Sequence, residues 1–294
     1  MGMARKPTNT TLLRRVTELA LEVGRRRLPD HAHPKSPRLY TQPQLLACLV
    51  LRAYLRQTYR GVVEVLEESP GLRAALGLRD GRVPRHTTLE EFADRLTRAG
   101  GPRVVDELVA ELLAVDGRRV DELAVDSTGL AASGASAHYL SRTGRRGGHY
   151  VKLSLAVACA SLLLVALVVS RGPGNDLAEA WALDWRAASR CRPRAVYKDA
   201  GYDREATHAF WRGGRGAASF IPPVARGGYG VVGTPWRARM ARDGMPPGYG
   251  RRWHAESFIS GLKRSTGDRL LARSDAARFT EAALRVLAYQ CRRV

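Results

Sequence analysis

LSLAVACASLLLVALVV occupies residues 153–169. Taken as one unit it approaches the ~20 apolar residues of a membrane span. Taken as two, it is a pair of buried strands, and three features favour that reading. The run is rich in Val and Ala, contains Ser154 and Ser161, and is flanked by segments dense in charge. We therefore expect two core strands joined near Ala160 and Ser161, although no Asn-Gly or Asp-Gly marks the turn.

The surrounding sequence keeps this strand-rich texture. Upstream, ELAVDSTGL (residues 122–130) is a strand, and a Gly/Ser/Arg-rich connection covers residues 131–149. Downstream, a helix is expected from about Asp176 with Asn175 as its N-cap, placing Trp181 and Trp185 one turn apart. RAVYKDAG (194–201) is a fourth strand leading into a helix capped by Asp203, and SFIPPV (219–224) is a short fifth. Residues 225–248 are rich in Gly, Pro and Arg and are expected to form a mobile basic loop. A long helix starts at about Tyr249. A last amphipathic helix, Ala276 to Arg292, groups Phe279, Ala283, Val286, Leu287 and Gln290 on one side. Three adjacent strands, then helices alternating with two more, make a mixed α/β sheet over residues 119–294.

Residues 1–118 have a helical pattern instead. A basic helix near Leu12 to Arg27 precedes a Pro-rich linker (29–43), after which Thr41 and Gln44 form a capping box before Leu45 to Leu55. Shorter helices follow near Gly61 to Glu67 and Leu72 to Leu76. Thr87 with Glu90, or Thr88 with Glu91, can cap another carrying Leu89, Phe92 and Leu96. Flanked by Arg79, Arg82, Arg85 and Arg95, this region is either a helix-turn-helix-like DNA reader or a plain bundle with a solvated arginine face.

Lys and Arg total 48 against 28 Asp and Glu, a net charge of +20 that points to a polyanion, nucleic acid before membrane surface. Only five of the 48 are lysines, a bias toward Arg that a GC-rich genome also produces. Cys48, Cys159, Cys191 and Cys291 lie far apart without a C-x-x-C pair, which argues against a zinc site or disulfide framework. Residues 1–8 lack the apolar core of a signal peptide, so a cytoplasmic, nucleoid-associated protein is expected.

Asp126 and Asp199 each follow an apolar run and are expected at the ends of neighbouring strands, where two carboxylates can converge. Hard oxygen ligands suit Mg²⁺, and paired ions can activate a nucleophile and stabilise a leaving oxygen at a phosphodiester. Taken singly, an Asp at a strand end is more often a turn or cap residue. The sequence from residue 249 reads Tyr249-x2-Arg252-x3-Glu256-x6-Lys263, which on a helix confines the four to an arc of roughly 60°. Phe258 and Leu262 project from the opposite side. For spacing alone, a salt-bridged amphipathic helix explains the pattern as well.

Together, these motifs resemble those of the DDE transposases of bacterial and archaeal insertion sequences, in the branch with a Y-(2)-R-(3)-E-(6)-K signature. VDSTG (125–129) and DAGYD (199–203) match the settings of the first two aspartates. The resemblance implies a ribonuclease H-like catalytic domain preceded by an all-helical DNA-binding region. It also implies two Mg²⁺ ions, replaceable by Mn²⁺, on Asp126, Asp199 and Glu256, and contacts from Tyr249, Arg252 and Lys263 to transposon-end phosphates. A homodimer on paired terminal inverted repeats, acting on target DNA, is implied likewise. Only 57 positions separate Asp199 from Glu256, so the large β-rich insertion of some relatives is not expected, and strand capture during hairpin formation is in doubt.

Lys198 beside Asp199 and Lys152 opening the second strand are further candidate DNA contacts. Trp253 and His254 can either stack on a displaced base and touch phosphate or pack at the helix start. His138 and His149 read as solvated or DNA-proximal rather than as metal ligands, having no partner at ligand spacing. Two rivals share parts of the pattern: a DNA-binding protein derived from a decayed transposase, and a ribonuclease H-like nuclease or resolvase, which has no need of the Tyr249 to Lys263 signature.

Overall fold

The computed structural model describes residues 11–33, 35, 38–78, 81–132, 149–225 and 233–294. Its centre is a five-stranded sheet in the order β3-β2-β1-β4-β5, built from β1 (Glu122–Ala131), β2 (Tyr150–Ala158), β3 (Leu164–Gly172), β4 (Ala195–Lys198) and β5 (Ala218–Phe220). β1 to β3 are antiparallel neighbours, whereas β4 and β5 join parallel to β1. This is a mixed α/β sheet, compatible with the ribonuclease H-like domain expected. The apolar run at 153–169 is indeed a hairpin, turning through Cys159 to Leu163 with Leu162 at positive φ. No helix among the described residues is long and apolar enough to cross a membrane.

Among the described residues six helices precede the sheet: α1 (Leu12–Arg27), α2 (Gln42–Leu55), α3 (Tyr59–Glu68), α4 (Pro70–Leu76), α5 (His86–Arg98) and α6 (Gly101–Asp116). The Thr41 and Gln44 capping box is present on α2. The cap expected at Thr87 or Thr88 is not: α5 already starts at His86, after Arg85, without a side-chain cap bond. Arg79 and His138 lie outside the described residues, and His149 is exposed.

Later elements are α7 (Leu177–Arg190), a single turn α8 (Glu205–His208), α9 (Pro235–Asp243), α10 (Trp253–Thr266) and α11 (Asp275–Arg293). Several differ from the sequence expectation for identifiable reasons. Asp176 rather than Asn175 occupies the cap position of α7, although Asn175 Oδ1 still accepts from Leu177 N–H. Asp203 does not cap α8, because its buried carboxylate is held by Arg237 and by the Val224 N–H. The segment 225–248 is not all loop: Pro235 at the first helical position starts α9. Pro247–Arg252 forms a 3₁₀ turn, so Tyr249 and Arg252 precede the α-helix proper.

Strand alternation sorts the core into two layers. Ala124, Val151, Leu153, Leu155 and Tyr197 face the cluster containing α10, α11 and the N-terminal helices. Leu123, Val125, Ala156 and Val196 face the smaller cluster under α7. α11 is not the one-sided helix expected, since every residue from Thr280 to Cys291 is buried. It lies between the sheet and helices α1, α2, α5 and α6, and one cluster of buried side chains runs through all of them. Gln290 fastens α11 to the edge strand β3, its side-chain amide pairing with both Leu164 N–H and Leu164 C=O.

Candidate active site

Asp126 sits in the middle of β1 rather than at its end, paired with Leu155 of β2. What ends nearby is β4: the parallel register closes at Val125 opposite Lys198, so one further step sets Asp126 beside Asp199. Alternation then fixes direction. Asp126 shares the face of Ala124, and Asp199 that of Tyr197, so both carboxylates point toward α10. Ser127 and Lys198, one residue away, must point toward α7.

The 3₁₀ turn and α10 close the site from above. Arg252 pairs with Glu256 at 2.5 Å and reaches Asp126 at 3.8 Å. Tyr249 donates its hydroxyl to Lys198 C=O at 2.9 Å and so pins the end of β4 next to Asp199. Ala255, Phe258, Leu262 and Thr266 form the buried stripe of α10, leaving the Glu256 side chain 51% exposed. Lys263 is half-buried, its ammonium with neither ion pair nor hydrogen bond among the described residues. Of the four residues expected on one helix face, Arg252 and Glu256 lie together against Asp126, Tyr249 lies in the preceding 3₁₀ turn against the end of β4, and Lys263 is about 10 Å of helix beyond Glu256.

Burial pushes the Asp126 carboxyl up to about 6, the charges of Asp199 and Glu256 adding to the effect while the Ser127 N–H and Arg252 oppose it. Asp199 is raised too, by burial first and the charge of Asp176 second. An acid whose folded-state pKa is raised contributes stability that is present below its unfolded value and lost as pH rises through the folded one. Asp126→Asn should therefore be more stable than wild type above pH 6 in chelator, with the gap closing toward pH 4. Thermal melts across that range test it, and a gap that widened toward low pH would contradict the assignment.

Lys152 and Lys198 are not placed as the sequence suggested. Lys198 is fully buried against Asp184 of α7 at 2.5 Å, and Lys152 is buried between Asp176 (2.9 Å) and Glu179 (2.8 Å). Both ammonium groups lie on the α7 side of the sheet, away from Asp126, and are spent on internal pairs. His254 stacks on Trp253 with centroids 4.6 Å apart, and burial, with the charge of Arg251 next, lowers its pKa. Trp253 is 56% exposed.

Asp176 joins the site although its sequence setting marks only a helix start. It accepts from Ser127 Oγ at 2.6 Å, and a Cβ on Gly201 would come within 2.7 Å of its Oδ2 and 3.1 Å of Asp199 Oδ1. Gly201 is what allows those two carboxylates to approach the same stretch of backbone. The one hint of Asp176 in the sequence is the antiparallel hairpin, which brings the end of β3, and hence the start of α7, to the same end of the sheet as the end of β4.

Among the described residues no three Asp, Glu, His or Cys side chains form a group that could hold an ion, and Arg252 reaches both Asp126 and Glu256. The donor set still suits a hard cation: clustered carboxylate oxygens whose protonation is raised by burial and mutual repulsion, with a guanidinium in place as counter-charge. No curated protein matches the chain. The family model described as transposase DDE domain matches residues 120–291, from the start of the sheet to the last turns of α11 and well over half of the sequence. That match spans more than half of the sequence and includes Asp126, Asp199 and Glu256, and the chain therefore belongs to the DDE transposase family.

Proposed function

We propose that the protein cleaves the ends of an insertion sequence and joins the freed 3′-hydroxyl to target DNA, with Asp126, Asp199 and Glu256 as metal ligands. The observation that carries this reading is the convergence of Asp126 and Asp199 on one sheet face beneath Arg252 and Glu256. Two Mg²⁺ ions, or Mn²⁺ in their place, would be held there and would activate the attacking oxygen and stabilise the leaving one. Arg252 compensates the charges of Asp126 and Glu256, and where bound cations carried that compensation its guanidinium would be free to meet a phosphate of the bound end. Tyr249 holds the end of β4, and with it Asp199, in place from the same turn. Lys263, lacking an internal partner, contacts a phosphate of the bound end. Helices α1 to α6 supply end recognition, with exposed Arg82 and Arg85 next to α5, and two copies act on paired inverted repeats.

Lys263→Ala tests the reading against a generic nuclease. Loss of one charge-assisted phosphate contact, on the order of 1.5 to 3 kcal/mol, should reduce binding or rate roughly ten- to a hundred-fold. The full chain is incubated with Mn²⁺, a pre-nicked terminal duplex from the DNA flanking the reading frame, and a supercoiled target. Joined product from wild type and little from the variant is expected. Efficient cleavage of unrelated DNA without any joining would replace the transposase reading with a nuclease one.

A further inference from the structure

On the opposite flank of α10, a cavity of about 470 Å³ is lined by Gly261, Arg264, Ser265, Tyr289, Arg292 and Arg293, with no acidic side chain in its wall. Arginines near helix C-termini often serve to satisfy the last carbonyls. Here that duty is performed by others: Arg56 donates to Arg264 C=O and Ser265 C=O, and Arg285 to Gly267 C=O. Among the described residues Arg264 has no side-chain partner, Arg292 donates only to Ser265 Oγ, and Arg293 donates to Ser161 C=O while its buried Nε has none. None of the three forms an ion pair among those residues, whereas three of the four arginines lining the cavity at the end of α6 do: Arg118 with Asp116, Arg119 with Asp121 and Arg190 with Asp106, Arg192 being the exception. Three uncompensated guanidinium groups and a hydroxyl around one concavity form a receptor for a tetrahedral oxyanion.

Position on α10 says which oxyanion. At about 100° per residue, Lys263 lies within about 20° of Glu256, while Arg264, Gly261 and Ser265 fall about 80° to 180° round the helix. The ridge between, Trp253, Ser257, Ser260 and Arg264, is exposed or half-buried. A duplex seated over the carboxylates by Lys263 and Arg252 occupies one side of that ridge and leaves the arginine cavity on the other. We infer that Arg264, Arg292 and Arg293 bind a backbone phosphate of a second DNA duplex, the one that receives the 3′-hydroxyl. The inference rests on the proposed function for the identity of that duplex, and on charge and geometry alone for the phosphate.

The full-length double variant Arg264→Ala/Arg292→Ala tests it, with Arg118→Ala/Arg119→Ala as a control of equal charge loss at compensated arginines. Binding of an unrelated 30-base-pair duplex is measured by anisotropy against salt. The test variant should bind about tenfold more weakly near 100 mM salt, with a salt slope smaller by roughly 1.8, while the control stays within about twofold of wild type. Nicking of the terminal duplex should be unchanged and joining to a supercoiled target should fall by a similar factor. Arg264→Lys/Arg292→Lys should restore most of the slope and, with a melting curve, exclude misfolding. Equal losses in test and control would reduce the cavity to diffuse charge, and equal falls in nicking and joining would assign it to the terminal duplex. Either result overturns the inference. If wild type neither nicks nor joins, the proposed function fails while the binding arm still decides whether the cavity holds DNA phosphate.

Discussion

Asp199→Asn should abolish Mg²⁺-dependent cleavage while leaving a folded protein. Asp199 is half-buried, its carboxyl is raised by burial and by neighbouring Asp176, and the parallel register sets it beside Asp126. Removing its charge relieves repulsion in the metal-free protein and removes a ligand from the proposed centre. Several kcal/mol of transition-state stabilisation then disappear, a fall of at least about 10³-fold. Asp126→Asn and Glu256→Gln should behave alike, although Glu256→Gln also frees Arg252 and should weaken nothing in the core, its side chain being half exposed. The assay is cleavage of a terminal duplex with Mg²⁺ or Mn²⁺, alongside a thermal melt. Full cleavage by Asp199→Asn would remove it from the centre.

Lys198→Ala should be destabilising before it is anything else. Its ammonium is fully buried on Asp184, itself 2% exposed, and carries part of the link between β4 and α7. Taking away one partner strands a buried carboxylate, a change that typically costs about 3 to 5 kcal/mol. Urea unfolding should show the midpoint drop, and replacing both partners with Leu should recover much of it. A DNA-contact role would give the reverse, unchanged stability with weaker binding, and that outcome would return Lys198 to the DNA-facing surface.

The contrast between Asp199 and Lys198 shows what the sequence makes legible. Residue type and spacing single out Asp126, Asp199 and Glu256 only when the three motifs are taken together with the family resemblance, since each alone has a turn, cap or ion-pair reading. Adjacency in sequence misleads for the lysines, because neighbours in a strand face opposite sides of a sheet. Alternation counted from Ala124 and Tyr197 sends Lys198 toward α7 on the strand pattern alone. The hairpin at 153–169 is legible from its apolar composition, while its turn, with Leu162 at positive φ, carries no sequence signature. The expected start of α10 at Tyr249 is too early because helical periodicity cannot distinguish an α-turn from the 3₁₀ turn of Pro247–Arg252. Asp176 stays hidden because its role depends on contacts with Ser127 and Lys152, residues distant in the chain.

The burial of α11 on all sides has a consequence in time. Synthesis reaches residue 275 long after α6 has ended at Asp116, yet α1, α2, α5 and α6 pack on this last helix. During translation the N-terminal helices therefore wait with an apolar face uncovered, and their final packing is deferred until the C-terminal segment leaves the ribosome. The exposed Arg82 and Arg85 next to α5 consequently reach their final positions only in a chain in which Asp126, Asp199 and Glu256 have already been made, so that a product truncated within the sheet lacks both the full carboxylate group and the finished packing of the N-terminal helices.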